Sequence, residues 1–218
     1  MPESGSGLKT CAHRPGMVFR PSDAKWYLAT SASGYGSAGA YPFAASTSAT
    51  PITADFDGDR RTDLGIFQGG NNQWLVRTSS SSYTGSSNYN WGSGGDIAVP
   101  GDYDGDRKAD AAVFRPSTGE WYVLTSRSGY GASEVHTWGT ANDIPVPADY
   151  DGDGKRDLAV YRTNDSNWYI LTSSSGYSQS LTYSWGTSGD VPVPGDYDGD
   201  GKADIAMSVV IHRGDLAD

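Results

Sequence analysis

Short apolar and aromatic runs alternate with turns rich in Ser, Gly and Asn, and the same order of runs returns every 47 residues. One such period contains the apolar run Asp110–Phe114, the aromatic run Glu120–Leu124 and a later run that ends at Trp138. Each run has the length of a β-strand and is rich in β-branched and aromatic residues, which favour strands. The pattern therefore predicts an all-β chain of antiparallel strands, and it predicts no helix.

A further strand is predicted before each acidic loop, as in Ile144–Ala148 and Val191–Gly195. Both segments contain two prolines two positions apart, so two amide donors are missing on the same side of the strand. Such a strand can only be an edge strand whose proline side is unpaired. Four short strands per 47 residues, the first of them a free edge, are typical of a β-propeller blade whose innermost strand lines the central channel.

Each period also carries a nine-residue loop with aspartate at positions 1, 3, 5 and 9. Four carboxylates in one tight loop repel one another unless a cation lies between them. Ca²⁺ binds roughly 6 to 8 oxygen ligands and accepts carboxylates, backbone carbonyls and water together. The sequence therefore predicts four calcium sites, in which the four aspartates and the backbone carbonyl at position 7 are ligands. The predicted ligands are Asp55, Asp57, Asp59, Arg61 and Asp63; Asp102, Asp104, Asp106, Lys108 and Asp110; Asp149, Asp151, Asp153, Lys155 and Asp157; and Asp196, Asp198, Asp200, Lys202 and Asp204.

Two other interpretations of these loops were weighed against calcium. An EF-hand is excluded, because an EF-hand loop closes with a bidentate Glu at its twelfth position. The residues at that position here are Ile66, Val113, Val160 and Met207. A solvated acidic turn without metal would be the natural interpretation of a single loop of this kind. Four copies at identical spacing favour the metal site.

The N-terminal segment, residues 1–15, is a degenerate copy of the loop region. The positions equivalent to the metal ligands are occupied by Gly7, Lys9, Cys11 and Pro15, which cannot bind calcium together. The predicted propeller domain covers residues 16–207, and residues 208–218 form a tail that departs from the repeat.

The ends of the repeat region are incomplete in complementary ways. We expect the C-terminal inner strand, residues 191–196, to dock on the N-terminal hairpin, residues 17–30, and to close a ring of four blades. The rival arrangement is an open array that needs a second chain or a missing segment. It remains open because Asp204–Met207 is an extra copy of the second strand and has no place in a four-bladed ring.

The formal charge of −10 is mostly explained by the predicted metal sites. Four bound Ca²⁺ ions would reduce it to about −2. No basic patch supports nucleic-acid binding. No stretch approaches the roughly 18 apolar residues of a membrane span, so no membrane insertion is expected.

The cysteine content leaves the redox compartment of the protein open. Cys11 is the single cysteine, so no intramolecular disulfide can form. The segment Met1–Gly7 has no basic region followed by an apolar core, so it does not resemble a secretory signal. Calcium loops of this kind are more readily filled outside cells, where calcium is millimolar. We therefore expect an extracellular, secreted protein.

The acidic loop and the run that follows it resemble the FG-GAP/VCBS-type repeats of integrin α-subunit propellers and of many secreted bacterial proteins. The segment at 191–206, Val-Pro-Val-Pro-Gly-Asp-Tyr-Asp-Gly-Asp-Gly-Lys-Ala-Asp-Ile-Ala, is especially similar to the bacterial form. The resemblance covers roughly residues 16–207. It implies one Ca²⁺ per loop, held by the aspartates, and a propeller that serves adhesion, glycan binding or attachment to enzymes. Integrin-like propellers have more blades than this chain supplies.

Repeated aromatic residues are the candidates for ligand contact, because sugars stack on exposed aromatic faces. We expect the strand tryptophans Trp26, Trp74, Trp121 and Trp168 to pack between blades instead. The tyrosines in the Ser/Gly turns are the best candidates for exposed ligand contacts. For the tryptophans at the Trp-Gly strand ends, packing in the core and contact with a ligand are equally compatible with the sequence. The turn tyrosines are Tyr35, Tyr83, Tyr130 and Tyr177, and the strand-end tryptophans are Trp91, Trp138 and Trp185.

A catalytic centre on a repeat needs residues that the sister repeats lack. The conspicuous case is His136, which stands where the other repeats have tyrosine, with Glu134 nearby. No nucleophile motif, zinc-ligand spacing or phosphate loop accompanies it, so no enzyme activity is predicted. Arg213–Asp215 matches the tripeptide that integrins recognise, and its role is open.

The sequence thus predicts a calcium-stabilised binding or adhesion module that recognises a glycan or a cell-surface protein and could form a homo-oligomer. The alternatives are a domain of a secreted polysaccharide-active enzyme and a structural spacer without a ligand.

Overall fold

The computed structural model describes residues 17–35, 38–44 and 48–209. The chain divides into two compact units, Met1–Thr47 and Ser48–Asp218. In the first unit, β1 (Met17–Arg20), β2 (Lys25–Ala29) and β3 (Ala38–Pro42) form an antiparallel sheet in that order. A 3-10 turn at Ser31–Ser33 follows β2 and is the one exception to the predicted absence of helix in the described residues.

The second unit contains three antiparallel four-stranded sheets and one two-stranded sheet. In each sheet the strands follow one another in chain order, as predicted for a blade. The strands are β4 (Thr50–Ala54), β5 (Asp63–Gln68), β6 (Gln73–Arg77) and β7 (Ser87–Asn90); β8 (Ile97–Ala98), β9 (Ala111–Arg115), β10 (Glu120–Leu124) and β11 (Ser133–Thr137); β12 (Ile144–Pro145), β13 (Leu158–Arg162), β14 (Asn167–Leu171) and β15 (Ser180–Ser184); and β16 (Val191–Pro192) with β17 (Met207–Ser208).

The inner strands are edge strands, as the proline spacing predicts. In the third sheet, β12 lies at the edge and pairs only with β13. The N–H of Val146, which stands between Pro145 and Pro147, donates to the carbonyl of Ala159 at 2.8 Å. Because donor direction alternates along a strand, the two proline nitrogens lie on the open side, where no ladder bond is lost.

Hydrophobic clusters lie between successive sheets of the second unit. The cluster between the second and third sheets joins Phe114, Trp121 and Val123 to Leu158 and Val160. Similar clusters lie between the first and second sheets and between the third sheet and the last. Each sheet therefore buries its faces against its neighbours, as stacked blades do. The strand tryptophans Trp74, Trp121 and Trp168 are fully buried in these clusters, which confirms the packing role expected for them.

The last inner strand pairs with the extra copy of the second strand. Val191 and Pro192 lie opposite Ser208 and Met207 in the two-stranded sheet β16–β17. The all-β architecture and the four-stranded antiparallel sheets are therefore confirmed, whereas the blade number and ring closure stay predictions. Cys11 and Arg213–Asp215 lie outside the described residues. In the described part of the chain, no helix has the length and apolar character needed to cross a bilayer.

Candidate metal centres

Each acidic loop brings three of its four aspartates together. In every loop, carboxylate oxygens from positions 1, 3 and 9 lie within 4.8 Å of one another. The position-5 aspartate does not belong to these groups. The groups are Asp55, Asp57 and Asp63; Asp102, Asp104 and Asp110; Asp149, Asp151 and Asp157; and Asp196, Asp198 and Asp204. All the donors in these groups are carboxylate oxygens, which are hard ligands of the kind that Ca²⁺ binds. Zn²⁺ prefers His and Cys ligands, and these groups contain neither.

The position-1 aspartate organises the turn around its own carboxylate. In the third loop, the Oδ1 of Asp149 accepts from the N–H of Gly152 at 2.6 Å, and its Oδ2 accepts from Gly154 at 2.9 Å. Both glycines have positive φ, 83° and 89°. The first and second loops place Arg60 and Arg107 at the later position, with φ of 66° and 71°. Position 4 is glycine in all four loops and has a φ of 82–84° there, a conformation that glycine adopts without steric cost.

The position-9 aspartate connects the loop to the interior of the sheet. Asp110 is fully buried, and its carboxylate accepts from the N–H of Tyr103 and from the N–H of Ser126, both at 2.7 Å. Asp63 and Asp157 make the equivalent pairs of bonds. Ser126 lies just beyond β10, so this one side chain fixes the loop against the third strand.

Burial raises the pKa of the Asp110 carboxyl to about 6, because an ionised carboxylate loses its hydration there. Burial also raises the pKa of the Asp63 and Asp157 carboxyls. A cation at these loops favours the ionised form, and a proton competes with it. A cation at the second loop would therefore be bound more weakly as the pH falls through about 6.

The fourth loop has fewer connections to its sheet than the other three. The Oδ2 of Asp204 accepts from the N–H of Tyr197 at 2.8 Å, as in the other loops. In the other loops the position-9 aspartate also accepts from the N–H of a serine beyond the third strand. Asp204 has no such serine among the described residues, because no third strand follows β17 there. Asp204 is consequently half-buried, whereas Asp63, Asp110 and Asp157 are fully buried.

The position-5 aspartate ties the loop to a serine beyond the third strand. In the second loop, Asp106 Oδ1 accepts from the N–H of Lys108 at 2.8 Å and from the hydroxyl of Ser126 at 2.9 Å. The position-7 residue thus uses its N–H within the loop, and the metal-binding role of its carbonyl stays a prediction. The sequence reasoning missed the serines, although Ser79, Ser126 and Ser173 recur at the same spacing as the loops.

Successive loops are linked to one another through the backbone. The N–H at position 8 of one loop donates to the position-1 carbonyl of the preceding loop: Ala109 to Asp55 at 2.6 Å, Arg156 to Asp102 at 2.7 Å and Ala203 to Asp149 at 2.7 Å. The four loops therefore form one hydrogen-bonded row.

Two turn tyrosines bridge successive loops instead of facing a ligand. The Tyr130 hydroxyl donates to the carbonyl of Ala109 at 2.8 Å and lies 3.4 Å from that of Phe56 in the preceding loop. The Tyr177 hydroxyl makes the equivalent contacts with Arg156 and Tyr103. Both side chains are half-buried, and burial raises the pKa of both phenols. This differs from the expected exposed turn, because each ring packs against the fourth-strand residue of the preceding sheet, Tyr89 or His136.

The other two turn tyrosines differ in exposure. The hydroxyl of Tyr83 donates to the carbonyl of Thr62 at 3.1 Å, and its ring is half-buried. Tyr35 is 60% exposed. Ligand contact by any of the four stays a prediction, and Tyr35 has the exposure that such a contact needs.

The strand-end tryptophans also divide into two groups. Trp91 and Trp138 are half-buried, and each Nε1 donates to a carbonyl of the next sheet, Tyr122 at 3.2 Å and Tyr169 at 3.1 Å. Trp185, at the same position of the last full repeat, is 60% exposed. The first two thus join adjacent sheets, and Trp185 alone keeps a ligand-accessible face.

His136 takes the packing role of the tyrosine that it replaces. Its ring stacks on Tyr177 with centroids 4.6 Å apart, as Tyr89 stacks on Tyr130 at 4.1 Å. Its Nε2 lies 3.4 Å from the carboxylate of Glu134, which is exposed. The geometry is that of inter-sheet packing at a surface.

The chain was compared with protein families and with known structures. Residues 102–160 and 149–207 match the model of an FG-GAP-like repeat. No curated protein sequence matches the chain. Among solved structures, one described as a streptogramin B lyase structure is similar, with a TM-score of 0.51 and 14% sequence identity over 81% of this chain. The match spans 56% of that structure. At this identity the similarity concerns the fold alone, which is propeller-like.

Proposed function

Because residues 102–160 and 149–207 are FG-GAP-like repeats, which are generally associated with binding and adhesion, we propose that the chain is a calcium-stabilised binding module. The observation that carries the proposal is the grouping of three carboxylates in each of four loops. Three such charges within 4.8 Å need a counter-ion. An ion in each loop would stabilise the folded chain, since the unfolded chain has no preformed site.

We propose that the module acts outside the cell and recognises a glycan or a cell-surface partner. Millimolar calcium fills loops of moderate affinity there. Tyr35, which is 60% exposed, offers an aromatic face of the kind on which sugars stack. A binding role is favoured over catalysis because the ring of His136 is engaged in packing against Tyr177.

A glycan array probed with calcium-loaded protein tests this function. We expect a defined set of glycans to bind, and binding to disappear when calcium is chelated. The variant Glu134→Ala with His136→Ala should bind as the original protein does. An empty array would contradict glycan recognition and favour a spacer, and turnover of a polysaccharide that is lost in the double variant would favour an enzyme domain.

We further propose that the sheet β1–β3 completes a closed ring by covering the last repeat. In the earlier repeats, the contacts of the strand-end tryptophan and of the fourth-strand tyrosine are made by the next sheet. Trp185 and Tyr183 at these positions are 60% and 46% exposed. The N-terminal unit offers equivalent partners, since Tyr27 follows Trp26 as Tyr122 follows Trp121.

The native mass of the particle tests ring closure. A mass of one chain that is unchanged at high concentration is the expected result. A two-chain mass that reverts to one chain in Trp185→Ala would contradict closure within the chain and assign the exposed face to a second copy.

A further inference from the structure

A cavity of about 410 Å³ lies among the first three acidic loops. This volume falls within the roughly 300–1,000 Å³ typical of small-molecule sites. Its wall contains the position-1 aspartates of the three loops, together with Thr53 and four cationic side chains. The cations are Arg107, Lys108, Lys155 and Arg156.

The four cations have no ionic partner in the part of the chain that the structure describes. Among the described residues, none of them lies within 4.0 Å of a carboxylate oxygen. Arg156 is half-buried, and its hydrogen bonds are made by its backbone, to Asp102 and from Tyr177. A guanidinium has five N–H donors, and their partial removal from water is unfavourable without acceptors. The side chain of Arg156 is therefore suited to an anion that a ligand brings.

The aspartates in the wall are not ion-paired with these cations, and their carboxylates are held by the backbone of their own loops. Asp102 accepts from the N–H of Gly105 at 2.6 Å and of Arg107 at 2.7 Å. Asp149 is bound in the same way by its loop. The wall thus has four cationic side chains against three carboxylates, and a cation held at each loop would offset those carboxylates, which favours an anionic ligand.

Arg156 and Gly101, which it contacts, differ from the residues at the equivalent positions of the neighbouring repeats. A Cβ added at Gly101 would lie 2.6 Å from the Cγ of Arg156, so the arginine fits only against glycine. At the equivalent pairs of positions, both neighbouring interfaces have alanine facing alanine, Ala54 with Ala109 and Ala148 with Ala203. Among the described loops, only the interface between the second and third loops therefore combines this glycine with a cationic side chain.

We propose that the cavity binds the oxyanion of an acidic sugar, a carboxylate or a sulfate ester, and that Arg156 is the principal contact. A guanidinium binds such groups through two parallel hydrogen bonds. Lys155 and Lys108 add charge, and the Thr53 hydroxyl can hydrogen-bond to a sugar hydroxyl. The proposal rests on the proposed function and specifies its ligand class.

The test compares ligands and variants by calorimetry on the calcium-loaded full chain. The ligands are trigalacturonate, galactose 6-sulfate, the neutral trisaccharide of galactose and inorganic phosphate. The variant Gly101→Ala with Arg156→Ala restores the alanine pair of the neighbouring interfaces, so it should fold. Arg60→Gly is the matched control, because it removes an exposed loop arginine outside the cavity and restores the glycine of the third and fourth loops.

We expect both acidic sugars to bind the original protein and Arg60→Gly alike. The double variant should bind them about 10- to 100-fold more weakly, as the loss of charged hydrogen bonds implies. Added salt should weaken binding as well. Equal binding by the double variant would overturn the proposal, as would phosphate binding as tightly as the sugars. Neutral trisaccharide binding that is insensitive to the double variant would overturn this inference alone, whereas no sugar binding in any arm would remove the glycan function too.

Discussion

Chelation of calcium is expected to lower the melting temperature of the protein by about 10 °C or more. A ligand at about 100 times its Kd stabilises a folded protein by about 2.7 kcal/mol per site. About 1 kcal/mol shifts the melting temperature of a chain of this size by roughly 2–4 °C. Removal of the ions also leaves three carboxylates within 4.8 Å in each loop. Thermal unfolding followed by circular dichroism, with calcium or with a chelator, measures the effect.

Magnesium at the same concentration is the control for this experiment. Mg²⁺ requires near-ideal octahedral geometry and gives up its water reluctantly, so it should restore little of the lost stability. Re-addition of calcium should restore all of it. An unchanged melting temperature in chelator would contradict the metal sites, and would mean that the backbone amides around Asp102 and Asp149 are sufficient to hold the loops.

Replacement of Trp121 by alanine is expected to destabilise the protein by about 3–5 kcal/mol. Trp121 is fully buried between the second and third sheets and stacks on Phe114 at 5.1 Å. Its Nε1 donates to the carbonyl of Trp138 at 2.8 Å, so the variant also leaves that acceptor without its partner. Native domains are stable by only about 5–15 kcal/mol, so the loss is large. Urea unfolding in calcium buffer measures it.

Val135→Ala is the control for Trp121→Ala. Val135 lies in the adjacent strand β11 and is 52% exposed, so its truncation should change stability by about 0.5 kcal/mol or less. Similar midpoints for the two variants would contradict the packing of the sheets around Trp121.

The sheets and the acidic loops could be predicted because they depend on local patterns repeated in the sequence. Alternation and aromatic runs located strands such as β10, and the two prolines around Val146 identified an edge strand. The carboxylates at positions 1, 3 and 9 lie together in each loop, and the position-5 carboxylate bonds to a serine such as Ser126. The role of position 5 as a metal ligand stays a prediction. Spacing alone does not determine which of four carboxylates faces the common centre.

The contacts between sheets could not be read from the sequence, because they depend on how one repeat lies on the next. A Ser/Gly turn indicates that Tyr130 is near the surface, but its hydroxyl contacts the carbonyls of Ala109 and Phe56, which are distant in the sequence. The ion pair between Arg115 and the buried Asp96, 2.8 Å apart, is a similar case. Asp96 and Asp143 recur with the period of the repeat, yet periodicity does not identify their partners.

The row of hydrogen-bonded loops makes the stability of each site depend on its neighbours. Because Ala203 donates to Asp149, and Arg156 in turn to Asp102, an ion that orders one loop lowers the entropy lost when the adjacent loop binds. Under the proposed calcium binding, we expect the sites to fill with positive cooperativity, as in a one-dimensional array with nearest-neighbour coupling. The fourth loop, with its half-buried Asp204, is the end from which such an array would fray, so its ion would be the first to leave.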